Sequence, residues 1–242
     1  MLATDRKLPV SGGAEKRTYV RGMFNAIAPS YDFLNHLLSL NLDRHWRRRA
    51  VARLNWERVP DGRYLDLCAG TLDLAATLAR LPGFRGTVVG SDFVPRMLQL
   101  GRGKATRIVS VVADALALPH ADAAFDGATV GWGVRNLMDL DAGLREAARV
   151  LKPGARFVIL EMSIPPRQPL RGAFLMYFRH LLPAVGRLVS RHQDAYRWLP
   201  ESALAFPEPP ALAARMERAG FRDVRYDLLL GGICAIHTGT RA

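Results

Sequence analysis

The sequence predicts an α/β fold: a mainly parallel, seven-stranded sheet with a C-terminal antiparallel hairpin and added helices. Three observations predict it. Between residues 63 and 161, short β-prone runs alternate with helical segments, as strands joined by crossover helices do. Near the C-terminus, two strand-like runs flank Gly231-Gly232, a hairpin signal. Before residue 63, apolar residues recur at helical rather than alternating spacing. A chain of 242 residues that is 49% hydrophobic suits one such domain with a sizeable core.

Residues 1–17, rich in Gly, Ser and charge, are expected as a flexible tail before a single domain spanning 18–242. That domain opens with a helical cap, 18–58. Met23, Phe24 and Ile27 share one helical face there, as do Leu34, Leu37 and Leu38, and Pro29-Ser30 parts the two segments. Asp43 is placed to cap a helix to Leu54 that carries Arg44, Arg47, Arg48, Arg49 and Arg53. Strands follow at Arg63–Leu67, Thr87–Ser91, Ile108–Ala113, Phe125–Trp132 and Arg156–Glu161. Between them lie helices at Asp73–Leu81, Pro95–Gly103 and Asp141–Leu151. Pro95 suits a first turn, and Lys152-Pro153-Gly154 stops the third helix. The rhythm breaks at Pro165-Pro166, where a helical insertion, 164–206, is expected to cover the substrate with a long apolar helix, Leu170–Val189. A helix at Pro210–Ala219 ends at Gly220, and Asp223–Leu230 with Ile233–Gly239 forms the hairpin.

The chain carries 34 basic and 22 acidic residues. Lysine stands only at positions 7, 16, 104 and 152, so the excess is arginine. Either arginine serves phosphate or carboxylate recognition, or it reflects coding bias. A basic surface favours anionic membranes or nucleic acid. Specific nucleic-acid binding is not expected: the fourth strand ends in Gly131-Trp132-Gly133, not in an N-P-P-aromatic motif, and aromatics interleaved with basic residues are lacking. Cys68 and Cys234 lie far apart and read as small buried hydrophobes, and the six histidines are scattered, so no metal is expected. The opening residues lack an apolar leader core, and no run of 18 apolar residues occurs. The expected location is cytoplasmic, with peripheral contact at the inner face of the membrane.

The segment from Leu65 to Asp73 joins the first strand to a helix. Ligands of open α/β sheets bind beyond the carboxyl ends of strands. Asp66, Gly70 and Thr71 lie there, and Gly70 lets the backbone approach a ligand. Asp92 ends the second strand, where a carboxylate accepts from both hydroxyls of a ribose. Asp114-Ala115 ends the third, with an acid for an adenine amino group and a small residue beside the ring. Phe93, Met97 and Gly131 complete the predicted set. The loop lacks the G-x-G-x-x-G that a pyrophosphate calls for, which favours S-adenosylmethionine over a dinucleotide. The fold expected is therefore the class I S-adenosylmethionine-dependent methyltransferase, a Rossmann-like architecture.

Further motifs narrow this. Tyr31-Asp32-x-x-Asn35-x-x-Leu38-Ser39 with Trp46, Gly133-Val134-Arg135-Asn136, Arg149-Val150-Leu151-Lys152-Pro153-Gly154 with Glu161-Met162-Ser163, and Asp194 to Ser202 occur in this order. From about Val20 onward the chain resembles the ubiquinone/menaquinone biosynthesis C-methyltransferases. Leu34 and Asp43 depart from that family's methionine and histidine, and Ala155 from a glycine. Gly131 stands where the family often has a serine. Leu72 replaces a glycine of the cofactor loop: a helical backbone there accommodates it, whereas a left-handed one lowers affinity.

The resemblance implies methyl transfer to a ring carbon of a reduced, prenylated quinone, either a demethylmenaquinol or a ubiquinol precursor. Arg135 is expected to stabilise a developing phenolate, because arginine is never a free base. Asn136 is expected to position a ring oxygen, and Tyr31 and Asp32 to close the site against water. Rival expectations pair Arg135 with Asp139 or Asp141, and use Glu161 only within the sheet. The apolar insertion helix either roofs a prenyl channel or packs as core, and its Arg171, Arg179 and Arg187 suit lipid headgroups. The basic N-terminal helices serve as a membrane face or a homodimer interface. Two other functions stay open: a small-molecule O- or N-methyltransferase of the same fold, and a non-catalytic cofactor-binding homologue.

Overall fold

The structure is a computed structural model that describes residues 8–10, 12–181 and 193–242. Seven strands form one sheet: β1 (Arg63–Leu67), β2 (Thr87–Asp92), β3 (Ile108–Val112), β4 (Phe125–Gly131), β5 (Leu151–Met162), β6 (Phe221–Leu229) and β7 (Cys234–Arg241). Their order is β3-β2-β1-β4-β5-β7-β6. The pairs among β1 to β5 are parallel, and β7 runs antiparallel to both β5 and β6. The chain reverses its winding between β1 and β4, so a crevice opens at the carboxyl ends of these strands.

Strand alternation divides the core into two layers. Leu65, Leu67, Phe157 and Ile159 pack with Leu144 and Met216 on one face. Tyr64, Val158 and Leu160 pack with Leu72, Leu78 and Trp56 on the other. Successive residues of β1 and β5 thus feed opposite layers, as the two-residue period of a strand requires. The crossover helices are α4 (Asp73–Ala79), α5 (Pro95–Gly101) and α6 (Leu140–Val150), and α9 (Pro209–Arg218) precedes the hairpin. Helix α6 is capped by Asp139, whose Oδ1 accepts from the Ala142 amide at 2.9 Å, which satisfies an otherwise orphaned donor.

The cap comprises α1 (Gly13–Ile27), α2 (Tyr31–Leu38) and α3 (Leu42–Ala52). Helix α1 begins inside the span expected as tail, so residues 13–17 are helical and Lys16 is buried. Asp43 does not cap α3. Asn41 holds the N-cap in a left-handed conformation, and Asp43 sits in the first turn, bound by Ser39, His36 and Arg47. Helix α6 stops at Val150 as expected, but Lys152-Pro153-Gly154 lies inside β5, where the register with β4 shifts. Of the expected insertion helix, 170–189, the described residues cover the first twelve. α7 spans Leu170–Met176 and passes into a π-helical turn, Tyr177–Leu181. The remainder, with Leu182 and Arg187, lies outside the described residues. Helix α8 (Gln193–Ala205) completes the insertion.

Candidate active site

The carboxyl ends of β1, β2 and β4 border a narrow cleft, about 680 Å³ with its open mouth. Gly70, Asp92, Phe93, Met97, Asp114, Ala115 and Gly131 all line it, so seven of the nine predicted cofactor residues meet in one place. The Asp92 carboxylate accepts from the Gly70 amide through Oδ2 and from the Val94 amide through Oδ1, each at 2.8 Å. Each oxygen retains a lone pair for a ribose hydroxyl. Burial raises the Asp92 pKa, against the pull of the Val94, Gly70 and Phe93 amides.

The other two predicted residues hold the loop from behind and do not line the cleft. Asp66 accepts from the Ala75 amide at 2.9 Å and from Thr129 Oγ1 at 3.1 Å. Burial raises its pKa to about 7. Thr71 donates its hydroxyl to Asp32 Oδ1 at 2.5 Å.

Leu72 has φ +66°, so its backbone is left-handed and not helical. Its side chain nevertheless leaves the cleft clear. It packs into the core beside Gly90 and Gly101, and a Cβ on Gly90 would lie 2.3 Å from Leu72 Cδ2. Clearance for a cofactor is therefore kept, although the loop bears the strain of a leucine in a glycine conformation.

Two cleft residues, Arg17 and Ser91, and the neighbouring Lys16 carry no motif signal in the sequence. Arg17 of α1 pairs with Asp114 at 2.9 Å, the acid predicted for the adenine amino group. Lys16 donates to the carbonyls of Leu137 at 2.7 Å and Arg135 at 3.1 Å. Burial, assisted by the nearby Arg135 charge, lowers its pKa to about 8. Ser91 lines the cleft, and its buried hydroxyl has no partner among the described residues. An orphaned hydroxyl beside the Asp92 carboxylate fits a polar ligand such as a nucleoside. Among the described residues, no cluster of His, Cys, Asp or Glu is able to hold a metal.

A second, larger groove, about 2140 Å³ with its open mouth, adjoins the first. Its lining is mainly apolar and includes Leu34, Leu38, Phe174, Phe178, Leu199 and Ile233. Phe24, Tyr31 and Trp132 line both spaces and mark where they meet. Burial raises the Tyr31 pKa, so its hydroxyl stays protonated near neutral pH.

Arg135 reaches this groove from the turn after β4. Its Nη1 donates to Glu161 Oε1 at 2.6 Å and to the Trp132 carbonyl at 2.7 Å, while Nε is buried without a partner among the described residues. Neither rival acid takes it: Asp139 caps α6, and Asp141 pairs with Arg215. Glu161 is 1% exposed and serves as the counter-charge of Arg135.

Asn136 lines the cofactor cleft rather than the groove. Its Oδ1 accepts from Trp198 Nε1 at 2.9 Å, and its Nδ2 donates to the Trp132 carbonyl at 3.3 Å. The amide thus ties α8 to the site instead of standing free for a ring oxygen. Asp32 lines neither space. It joins Lys104 and Thr71, and Lys104 bridges onward to Asp73. Arg47 lies 5.0 Å from the Trp132 ring and pairs with Asp43. Burial opposes ionisation of Asp43, but Ser39, Arg47 and His36 prevail and hold its pKa below the usual carboxylate range.

Comparisons with known proteins place the chain in a family. The profile of the ubiE/COQ5 methyltransferase family matches residues 13–241. A demethylmenaquinone methyltransferase of Thermus thermophilus is 50% identical, covering 90% of this chain and 100% of that protein. One from Deinococcus radiodurans is 46% identical over 99% and 100% of the two chains. The ubiquinone/menaquinone biosynthesis C-methyltransferase of Geobacter sulfurreducens is 42% identical over 98% and 94%. Among solved structures, a putative methyltransferase in complex with the Haloferax volcanii Trm112 activator superposes with TM-score 0.67 at 17% identity, covering 90% of this chain and 96% of that one. A SAM-dependent methyltransferase of Thermotoga maritima, described as a possible histamine N-methyltransferase, gives 0.62 at 18% identity over 91% and 99%. These two support the fold alone. With a profile match across nearly the whole sequence and relatives this similar, the chain belongs to the ubiE/COQ5 methyltransferase family.

Proposed function

We propose that this enzyme methylates a ring carbon of a reduced, prenylated quinone: a demethylmenaquinol, a ubiquinol precursor, or both. The observation that carries the reading is the meeting, at Tyr31 and Trp132, of a cleft that holds Asp92, Asp114 and Ser91 with an apolar groove that Arg135 lines. Asp92, Asp114 and Ser91 give the cleft the polar groups a nucleoside needs, and the groove has the apolar lining a prenyl chain needs. S-adenosylmethionine supplies an electrophilic methyl group on a sulfonium.

This chain's residues do the rest. Asp92, Gly70 and Met97 hold the nucleoside half, and Asp114 takes the adenine amino group once Arg17 yields it. The Arg135 guanidinium stabilises the phenolate left when the quinol hydroxyl passes its proton to solvent, and that charge makes the ring carbon nucleophilic. Glu161 fixes the guanidinium in place. Asn136, Asp32 and Thr71 position the surrounding elements. Tyr31, Phe24 and Trp132 exclude water from the junction and align ring and methyl group. A homodimer formed through the basic cap belongs to the same reading.

The test is methyl transfer from labelled S-adenosylmethionine to a chemically reduced short-chain demethylmenaquinone, beside a benzoquinol analogue. Turnover on the first, the second or both is expected. Cofactor binding by calorimetry with no transfer to either acceptor overturns the reading and favours another small-molecule acceptor or a non-catalytic homologue.

A further inference from the structure

On the reading that the groove receives a prenyl chain, we infer that its mouth is a membrane-docking rim. Leu37, Leu40, Leu170 and Leu230 enter a bilayer containing anionic lipid, so the chain passes from lipid into the groove without crossing water. All four leucines line the groove, yet they are 45%, 80%, 39% and 56% exposed. They come from α2, the α2–α3 turn, the start of α7 and the β6–β7 turn. Segments far apart in sequence thus bring their exposed apolar tips to one opening. A lone exposed leucine is ordinary on a protein surface, whereas a convergent set around an apolar groove marks an interaction site.

The backbone gives a second, independent argument. Leu40 has φ +51° and Leu230 has φ +46°, values that favour glycine or asparagine. Each sits beside such a residue, Asn41 and Gly231. At both turns an asparagine would relieve the backbone and suit water better. Neither leucine gains burial within this chain, so an apolar phase outside it is what accounts for both.

Lipid fits this phase better than a protein face does, because the rim is continuous with a groove that takes a lipid-soluble chain. Charge agrees. Exposed Arg44 lies four residues after Leu40, in the first turn of α3, and Arg167 and Arg171 flank Leu170, on a chain of net charge +12. Arg171 lies 3.9 Å from Glu208. Basic side chains around an apolar insertion favour anionic headgroups. No helix among the described residues is long and apolar enough to cross a membrane, so the contact is a surface one.

The test is flotation of the full chain with phosphatidylcholine vesicles, with and without phosphatidylglycerol, comparing wild type with the double variant Leu40→Asn, Leu230→Asn. Asparagine suits both turns, and unchanged cofactor affinity by calorimetry certifies the fold. Wild type is expected to float with the anionic vesicles, and the double variant to bind at least about tenfold more weakly. Two results overturn the inference. Wild type that ignores vesicles assigns the rim to a protein partner, and a double variant that binds as tightly as wild type reduces the contact to arginine alone. Turnover of a water-soluble short-chain quinol by wild type, measured without lipid, separates the two readings. Its absence beside asparagine-sensitive flotation removes the quinol function and leaves the lipid contact. Its presence without flotation does the reverse.

Discussion

Leu72 shows two opposed terms at a single residue. A left-handed leucine costs roughly 1–2 kcal/mol, and burying its side chain returns about 2–5 kcal/mol when measured by truncation. Burial therefore prevails, with Gly90 and Gly101 supplying the room. Leu72→Gly is expected to destabilise the fold by roughly 1–3 kcal/mol in urea denaturation and to leave cofactor affinity nearly unchanged. A large gain in affinity would contradict the placement of this side chain away from the cleft. Asp66 allows a prediction in pH. Its folded pKa, about 7, lies above the ordinary 3.8, so between these values the folded state binds more protons than the unfolded one. Stability from this group is full below the lower value and is lost as pH rises toward the upper. Subtracting the Asp66→Asn unfolding curve from that of wild type should isolate a term that falls across this window, and a flat difference would refute it. Arg135→Ala should cut turnover by about 10²–10³, in line with loss of a donor to a developing oxyanion. Cofactor affinity should change far less, and equal losses in both would remove the assigned role.

At the scale of elements, α1 is a strap over the cofactor cleft. Lys16 anchors it to the carbonyls of the turn that carries Arg135, and Arg17 anchors it to Asp114. A bound nucleoside must share this cover, so strap stability and cofactor residence are linked. Lys16→Met leaves two carbonyls without their donor. Hydrogen exchange across 13–27 should then accelerate, and adding cofactor should slow it less than in wild type. Unchanged exchange would show that Lys16 does not hold the strap. The sequence concealed this element because Gly12, Gly13 and the charges around them read as tail, and helix propensity alone does not reveal docking. The Rossmann-like half was legible because buried parallel strands and their crossover helices each carry a local pattern. Asp43 misled for a physical reason: acids cap helices well, but this one is held inside a cluster of Ser39, His36 and Arg47 that only tertiary packing assembles.

At the scale of the molecule, a cleft that holds three carboxyl-end polar groups, Ser91, Asp92 and Asp114, meets a larger apolar groove at Phe24, Tyr31 and Trp132. Strand ends announce the cleft, so Asp92, Asp114 and the Gly70 loop were readable in order. The apolar groove was not readable as a unit, since α2, α7, α8 and the β6–β7 turn each contribute ordinary leucines and phenylalanines. The scarcity of lysine was the one available hint of tertiary wiring: Lys16, Lys104 and Lys152 each hold a specific partner. The division of space has a kinetic consequence. Groove contacts lie away from the reacting carbon, so they stabilise the bound substrate and the transition state alike. Such uniform binding lowers KM and leaves kcat unchanged. Lengthening the prenyl chain should therefore lower KM by at least about tenfold per isoprene until the groove is filled, with kcat flat. Phe174→Ala, which opens the Phe174–Phe178 ring pair at 4.4 Å, should raise KM for long-chain quinols and spare a quinol without a tail. A kcat that climbs with chain length would instead mean that the tail drives closure of the site, and the groove would then belong to the chemistry as well as to binding.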